Sequence, residues 1–402
     1  TLQRAAALPL VACLCGSAAI AQDTVVVRAD NPPEWGHDIQ VIEELRIGAV
    51  DGPDEYIFGS IRSVTVREDG SIFVYDQQVP IIRHYSPDGE YVRDIGREGA
   101  GPGEYRRVDG MYILPDHRLA ILDARSSRIS VYDSSGTFLE SVRLDGRPDG
   151  SNPFVVDTAG NFYVRTMDLR GAGLRREGGA GPPRHFVNIS GRGVGSDTIP
   201  IPSSEPTSAV FIMSTREGSR VPFLDGPVSA LSNRGYLVVG HNRTYALDLR
   251  SLNGRVRRIT RDVAAERVKR EERAQWEAFE AWSNRMLQQR GAPPRDYPSL
   301  PATKPFFRGL AVDADGRIWV DRYAEATKHD VKAREPGDDR PPYEWREPPT
   351  FDVIRPDGRF LGTVVLPKDT RIYYCSGWHM WGTVAGGLGE PYVVRFRIQP
   401  GA

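Results

Sequence analysis

Apolar residues along this chain come in short runs separated by turn dipeptides. The clearest stretch, residues 63–95, reads SVTVREDGSIFVYDQQVPIIRHYSPDGEYVRDI. Its four runs, rich in Val, Ile, Phe and Tyr, are broken by Asp69-Gly70, by polar residues after Asp76, and by Pro87-Asp88-Gly89. That pattern predicts four antiparallel strands joined by tight turns. The unit then recurs at an offset of about 47 residues: Val74-Tyr75-Asp76 is answered by Ile121-Leu122-Asp123, Tyr85 by Tyr132 and Gly89 by Gly136. A four-stranded unit repeating at that interval is the pattern of a propeller blade.

The first ordered residues carry a second repeat. Ile47-Gly48 is followed by Gly52-Pro53-Asp54-Glu55-Tyr56, and Ile95-Gly96 by Gly101-Pro102-Gly103-Glu104-Tyr105. The later copy is an outer strand plus the crossover into the next blade, so the earlier copy should be the same. The only blade that residues 40–48 can complete is the last one. The expected fold is therefore all-β: a six-bladed β-propeller over 40–400, closed by an N-terminal strand, with residues 22–39 as an extended polar lead. Closure removes the open sheet edges that an unclosed array would leave.

The remaining blades are placed by the same turn signals. Blade 1 covers 64–95, blade 2 covers 111–144, blade 3 starts near Phe154 and blade 4 covers 228–259. Blade 5 starts near Gly309, and blade 6 has three strands near 372–375, 379–384 and 392–398. Asp262–Arg290 breaks the pattern. It has no Gly or Pro, is rich in Ala, Glu, Arg and Gln, and predicts one inserted α-helix. Val268, Trp276, Phe279, Trp282 and Met286 fall near one stripe that would dock it on the disc, and Gly291 with Pro293-Pro294 would stop it.

In a blade with strands A to D, every A–B and C–D turn shares one face of the disc. Every B–C loop and every crossover shares the other. The tight turns at Asp69-Gly70, Asp88-Gly89, Ser135-Gly136, Asn253-Gly254, Asp315-Gly316 and Asp357-Gly358 fall on the first, the turn face. The long pieces at 96–110, 167–184, 203–227, 262–307 and 323–349 fall on the second, the loop face. Loops of this length in a compact fold point to function. The B-strand ends reach the same face beside the central channel. They offer a candidate ligand site of Asp76, Asp123, Arg165, His241, Asp321 and Arg322, with His379 placed nearby on the last blade.

Net charge is −1, with 26% charged residues and no polybasic run, which removes the signal for nucleic acid. Residues 1–21 have Arg4, an apolar run and Ala19-Ile20-Ala21, the pattern of a secretory signal peptide cleaved before Gln22. A periplasmic or extracellular protein with no transmembrane helix in the mature chain is expected. Leu10-Val11-Ala12-Cys13 also resembles a lipobox, which would anchor the chain at Cys13. Under the first reading Cys13 and Cys15 are removed, Cys375 stands alone, and no disulfide framework is possible.

Each candidate has a structural reading beside the functional one. Aspartate after a strand accepts backbone N–H bonds, which suits Asp76 and Asp123. Asp321 breaks their register by one residue, which favours a ligand role. Gly96–Gly103 looks like a phosphate loop, but it lacks the Lys-Ser/Thr ending and has its half-repeat at 48–56, so it reads as a crossover. His241 and His379 could join Asp76, Asp123 or Asp321 on a divalent metal, though no metal-binding histidine spacing is present. No serine sits in a G-x-S-x-G elbow.

The Ile-Gly…Gly-Pro-Gly-Glu-Tyr crossover, the repeated Asp-Gly turns and the Asp123–Ile129 run together resemble the bacterial six-bladed β-propellers of the NHL-repeat and TolB-like superfamily. The resemblance implies an exported binding propeller. That superfamily also contains metal-dependent lactonases and a peptidyl-amide lyase, but neither catalytic set maps onto this chain. The reading is a non-catalytic binding or scaffold propeller that takes a protein segment or a small polar ligand on its loop face. The alternative is a lactonase-like, metal-assisted hydrolase or lyase at the channel mouth.

Overall fold

The computed structural model describes residues 24–144, 147–148, 154–167, 184–190, 193–200, 222–251, 255–329 and 338–401. The signal-peptide and lipobox readings, the Asn253-Gly254 turn and most of 167–184 and 203–221 fall outside these residues.

Six antiparallel sheets form the blades. Blade 1 consists of Ile61–Val66, Ile72–Asp76, Ile81–Tyr85 and Tyr91–Ile95, in that order from strand A to strand D. Blades 2 to 5 repeat the plan, with A strands Gly110–Ile113, Phe154–Val156, Pro227–Leu231 and Phe307–Val312. Blade 6 has Arg371–Ser376, His379–Ala385 and Pro391–Gln399, and takes Gln40–Ile47 as its fourth strand. Ile42 lies opposite Arg397 and Ile47 opposite Val393, so the ring shuts as the repeat predicts. The A strands of blades 6, 1, 2 and 3 lie side by side, as do those of blades 4 and 5, which makes them the innermost ring.

The middle strands explain the continuous apolar runs. Every residue of Ile72–Asp76 and of Leu119–Asp123 is buried, because both faces of these strands pack on a neighbouring blade. Ile72 and Val74 join Trp381 and Val393 between blades 6 and 1, whereas Phe73 and Tyr75 join Met111, Ile121 and Tyr132 between blades 1 and 2. The outer strand Tyr91–Ile95 is mostly exposed and correspondingly polar. Tight turns on one face abut as expected: a Cβ on Gly70 in the A–B turn would come 3.0 Å from Pro87 in the C–D turn.

The lead segment 22–39 is more than an extended tail. Thr24–Arg28 adds in parallel to Val256–Thr260 as a fifth strand on blade 4. The chain then crosses blade 5, where the Trp35 N–H donates to the Leu361 carbonyl at 2.8 Å, before it enters blade 6. Ala29 is buried between blades 4 and 5, and Trp35 between blades 5 and 6. Gly358 sits under this strap with φ +96, and a Cβ there would meet Val27 at 2.4 Å, so both backbone and packing require glycine.

The helix, α1, runs Arg270–Gln289, eight residues shorter at its start than the composition predicts. Residues before it are held extended: the Lys304 N–H donates to the Glu266 carbonyl and the Val268 N–H to the Ala302 carbonyl. The Lys269 N–H donates to Glu272 Oε2 at 2.9 Å and starts the helix. Trp276 stacks on Phe279 and meets Tyr297 of the segment that follows edge-on, so these contacts of the aromatic stripe lie within the insertion itself. Gln275 exchanges two hydrogen bonds with the Trp345 backbone, which joins α1 to the B–C loop of blade 5.

If the strap closes the ring by burial, Trp35→Ala should lower the unfolding free energy by about 3–5 kcal/mol. Urea denaturation followed by circular dichroism measures this. An unchanged midpoint would mean that Trp35 is not part of the closure.

Candidate functional site

The B-strand ends divide into two kinds. Asp76 is fully buried; its Oδ2 accepts the Gly59 N–H at 2.7 Å and its Oδ1 the Ser60 and Gln78 N–H groups at 2.9 Å. Asp123 accepts the N–H groups of Arg106 (2.9 Å) and Ser126 (3.0 Å). These carboxylates clamp the crossover that leads into each inner strand. In blade 4 the same work falls to Asn242, whose Oδ1 accepts the Gly226 N–H at 2.7 Å. The neighbouring His241 is exposed at the end of its strand. The Arg165 side chain lies outside the described residues.

His379 is not at this end of the disc. It opens the B strand of blade 6, directly after the A–B turn, and lies opposite Ser376. The far end of that strand, Ala385, is the one that reaches the loop face. His379 Nε2 lies 3.3 Å from Glu44 Oε2, and Glu44 also binds Arg397 at 2.6 Å. The strand predicted near 379–384 is present, but His379 is its first residue and so lies at the turn face, opposite the end at which a B strand reaches the loop face.

Of the predicted set, Asp321 and Arg322 enter two separate polar networks of blade 5, on opposite faces of its B strand. Arg322 reaches buried Asp352, which also accepts hydrogen bonds from Tyr245 (2.9 Å) and Thr363 (2.6 Å). Asp321 faces Arg308 on the A strand, with Oδ1 3.3 Å from Nε. Arg308 also meets Glu347 Oε2 at 2.9 Å, and Glu347 Oε1 lies 2.6 Å from fully buried Lys304. Lys304 closes the network on Glu272 of α1 at 2.8 Å. A chain of five charges thus joins the helix to the channel mouth. Burial pushes Asp321 up to about 6, and the Arg308 guanidinium only partly offsets this.

Reasoning from the sequence missed the feature that shapes this mouth. Three A strands carry a register shift at the loop-face end: between Ile61 and Ser63, between Phe307 and Gly309, and between Ile372 and Tyr374. The extra residues are Arg62, Arg308 and Tyr373, in the consecutive blades 1, 5 and 6. A bulge frees one residue from the ladder and re-aims its side chain, and bulges gather at the rims of closed sheets. The Tyr373 hydroxyl donates to the Ile61 carbonyl at 3.1 Å, and the Arg371 guanidinium lies 4.7 Å from the Tyr373 ring centre. Arg62 acts electrostatically on both Tyr373 of blade 6 and Asp109 beside blade 2. No sequence signal announces such a bulge, because it is a relation between two strands.

Among the described residues, no group of three His, Cys, Asp or Glu side chains is arranged to hold a metal ion. A groove of about 450 Å³ opens away from the mouth, beneath the strap at blades 4 and 5, lined by Asp30, His37, Arg261 and Phe360 among others. Its arginine is already engaged: Arg261 donates to the Ala29 carbonyl at 2.8 Å and lies 3.5 Å from Asp352.

Residues 43–171 match the model of a family described as a 6-bladed beta-propeller. No curated protein matches the chain. Among solved structures it is similar to a member of the DUF4221 family from Bacteroides vulgatus, at 12% identity over 91% of this chain and 99% of that one, TM-score 0.47. It is also similar to a gluconolactonase from Xanthomonas campestris (13% identity, 94% and 98% covered, TM-score 0.42). A third is a catalytically inactive virginiamycin B lyase from Staphylococcus aureus (9% identity, 90% and 99% covered, TM-score 0.41). No described helix is long and apolar enough to cross a membrane.

The raised Asp321 gives a pH signature. Its folded value of about 6 lies above the ordinary 3.8, so the folded state holds the proton more tightly than the unfolded chain. That contribution is full below pH of about 4 and is lost as pH rises through about 6, by up to about 3 kcal/mol. Asp321→Asn should remove the slope over this window and leave the protein more stable than wild type at pH of about 7.5. Urea melts across the window test it, and an unaltered slope in the variant would refute the assignment.

Proposed function

We propose that this chain, a six-bladed β-propeller, is an exported binding protein that grips a polar ligand at the channel mouth on its loop face, beside blades 5, 6 and 1. The observation that carries the reading is the triple bulge at Arg62, Arg308 and Tyr373 on consecutive inner strands. The three departures from regular pairing lie at the same end of neighbouring inner strands, and each re-aims one side chain. The A strands Gly110–Ile113 and Pro227–Leu231 pair without a shift. The signal-peptide pattern of residues 1–21 supports export.

The metal-assisted alternative loses two of the ligands it needs. The carboxylate oxygens of Asp76 and Asp123 hold backbone N–H groups in two different blades. Asp321 is committed to Arg308. The ligand can be a small polar molecule or a protein segment, and α1 with the hairpin strands Thr327–Lys328 and Trp345–Arg346 forms one wall beside it.

A thermal-shift screen of small polar metabolites and short peptides locates the site. At least one compound should raise the melting temperature of wild type. Tyr373→Trp, which fills the mouth, should abolish that shift, and Glu44→Gln beside His379 should leave it intact. A ligand whose effect survives Tyr373→Trp would place the site elsewhere.

A further inference from the structure

We infer that the ligand of this mouth carries an oxyanion, a carboxylate or a phosphate, held between the guanidinium groups of Arg62 and Arg371. The inference rests on the reading that the mouth is the binding site. Both arginines are half-buried on adjacent inner strands. Among the described residues neither forms an ion pair nor donates a side-chain hydrogen bond. Arg371 Nε is shut off from solvent with no acceptor. Asp109, on which Arg62 acts electrostatically, is already bound by Arg107 and by the Ala124 N–H at 3.0 Å.

Other partly buried arginines of the disc show what is missing. Arg308 has Asp321 and Glu347, Arg317 has Asp313 at 2.6 Å, and Arg322 has Asp352. Two like charges, partly desolvated and without a counterion, cost stability. A protein can retain them where the counterion arrives with a ligand. Guanidinium forks match the planar carboxylate and the phosphate oxygens, and each can contribute two parallel hydrogen bonds. Tyr373 is tied to blade 1 through its hydroxyl's bond to the Ile61 carbonyl, next to Arg62 in the chain, and its ring covers one side of Arg371. Arg308 is neutralised by its own acids, so the anion is expected on the blade 6 and blade 1 side.

Isothermal titration at low ionic strength on the full chain, with glucuronate, inorganic phosphate and uncharged glucose as probes, tests this. One of the two oxyanions should bind saturably and glucose should not; which one does so distinguishes a carboxylate from a phosphate ligand. Arg62→Met and Arg371→Met should each weaken that binding about tenfold or more, and together abolish it. The double variant should melt no lower than wild type, because it removes charge that the fold does not neutralise. A purely structural role for the pair would lower its melting point instead. The inference is overturned if neither oxyanion binds, if glucose binds as tightly, or if binding survives in the double variant. An uncharged ligand found by the thermal screen and lost in Tyr373→Trp would overturn the oxyanion while leaving the mouth in place.

Discussion

Every blade here needs a neighbour on both faces, and that requirement governs the rest of the structure. A middle strand such as Ile72–Asp76 is buried on both sides, so a gap between any two blades would bare two apolar sheet faces. The chain meets this by pairing its first and last segments. Gln40–Ile47 runs antiparallel to Pro391–Gln399 in one sheet. The strap before it adds a strand to blade 4 and places Ala29 and Trp35 in the next two seams. Three consecutive seams are thus fastened by the same short stretch of chain. The two ends of the chain are interdependent in a way that an open repeat array is not.

Closure of the ring sets what the inner strands can do. Their loop-face ends still pack: Ile61 and Tyr373 belong to the seam between blades 6 and 1 and Phe307 to the seam between blades 4 and 5, so each bulge re-aims one side chain within a packed inner ring. The ion network behind Arg308 is of a different kind. Lys304 is fully buried and meets two carboxylates and the Ala324 carbonyl. Such a group adds little net stability over apolar packing, yet removing one partner would strand a charge, so the network fixes where α1 sits. The helix and the mouth are therefore positioned by the same residues.

Much of this was legible in the chain. Blades 1 and 2 could be read because their middle strands are unbroken apolar runs and their turns end in glycine. Ring closure could be read because the Gly-Pro-x-Glu-Tyr crossover occurs twice. Tyr105 shows why that motif recurs: its hydroxyl accepts the Ile82 N–H and donates to the Ile95 carbonyl, stitching crossover to blade. The anchoring role of Asp76 and Asp123 was also visible. What could not be read depends on distant partners. Thr24–Arg28 is a short valine run whose parallel partner lies more than two hundred residues away. Residues 262–269 have helical composition, but pairing with the 302–304 segment overrides it. The A–B turn of blade 2 hides because His117, at φ 68, stands where the other turns have glycine.

Blade 5 shows how a one-residue shift changes a role. In blades 1 and 2 the aspartate ends the B strand and turns toward the crossover amides. In blade 5 the residue in that place is Arg322, and the aspartate sits one position earlier, which in a strand means the opposite face. Its carboxylate cannot clamp the lead-in, and that work passes elsewhere: the Phe306 N–H donates to the Asn242 carbonyl of blade 4, and Lys304 Nζ holds the Ala324 carbonyl. Asp321 is then free to face Arg308 in a setting that raises its affinity for a proton. Blade 5 also receives its chain from the crossover that holds the helix, and its B–C loop carries the paired strands Thr327–Lys328 and Trp345–Arg346. The same substitution that looks like a defect in the repeat is what lets the mouth hold a charge network in place of a turn.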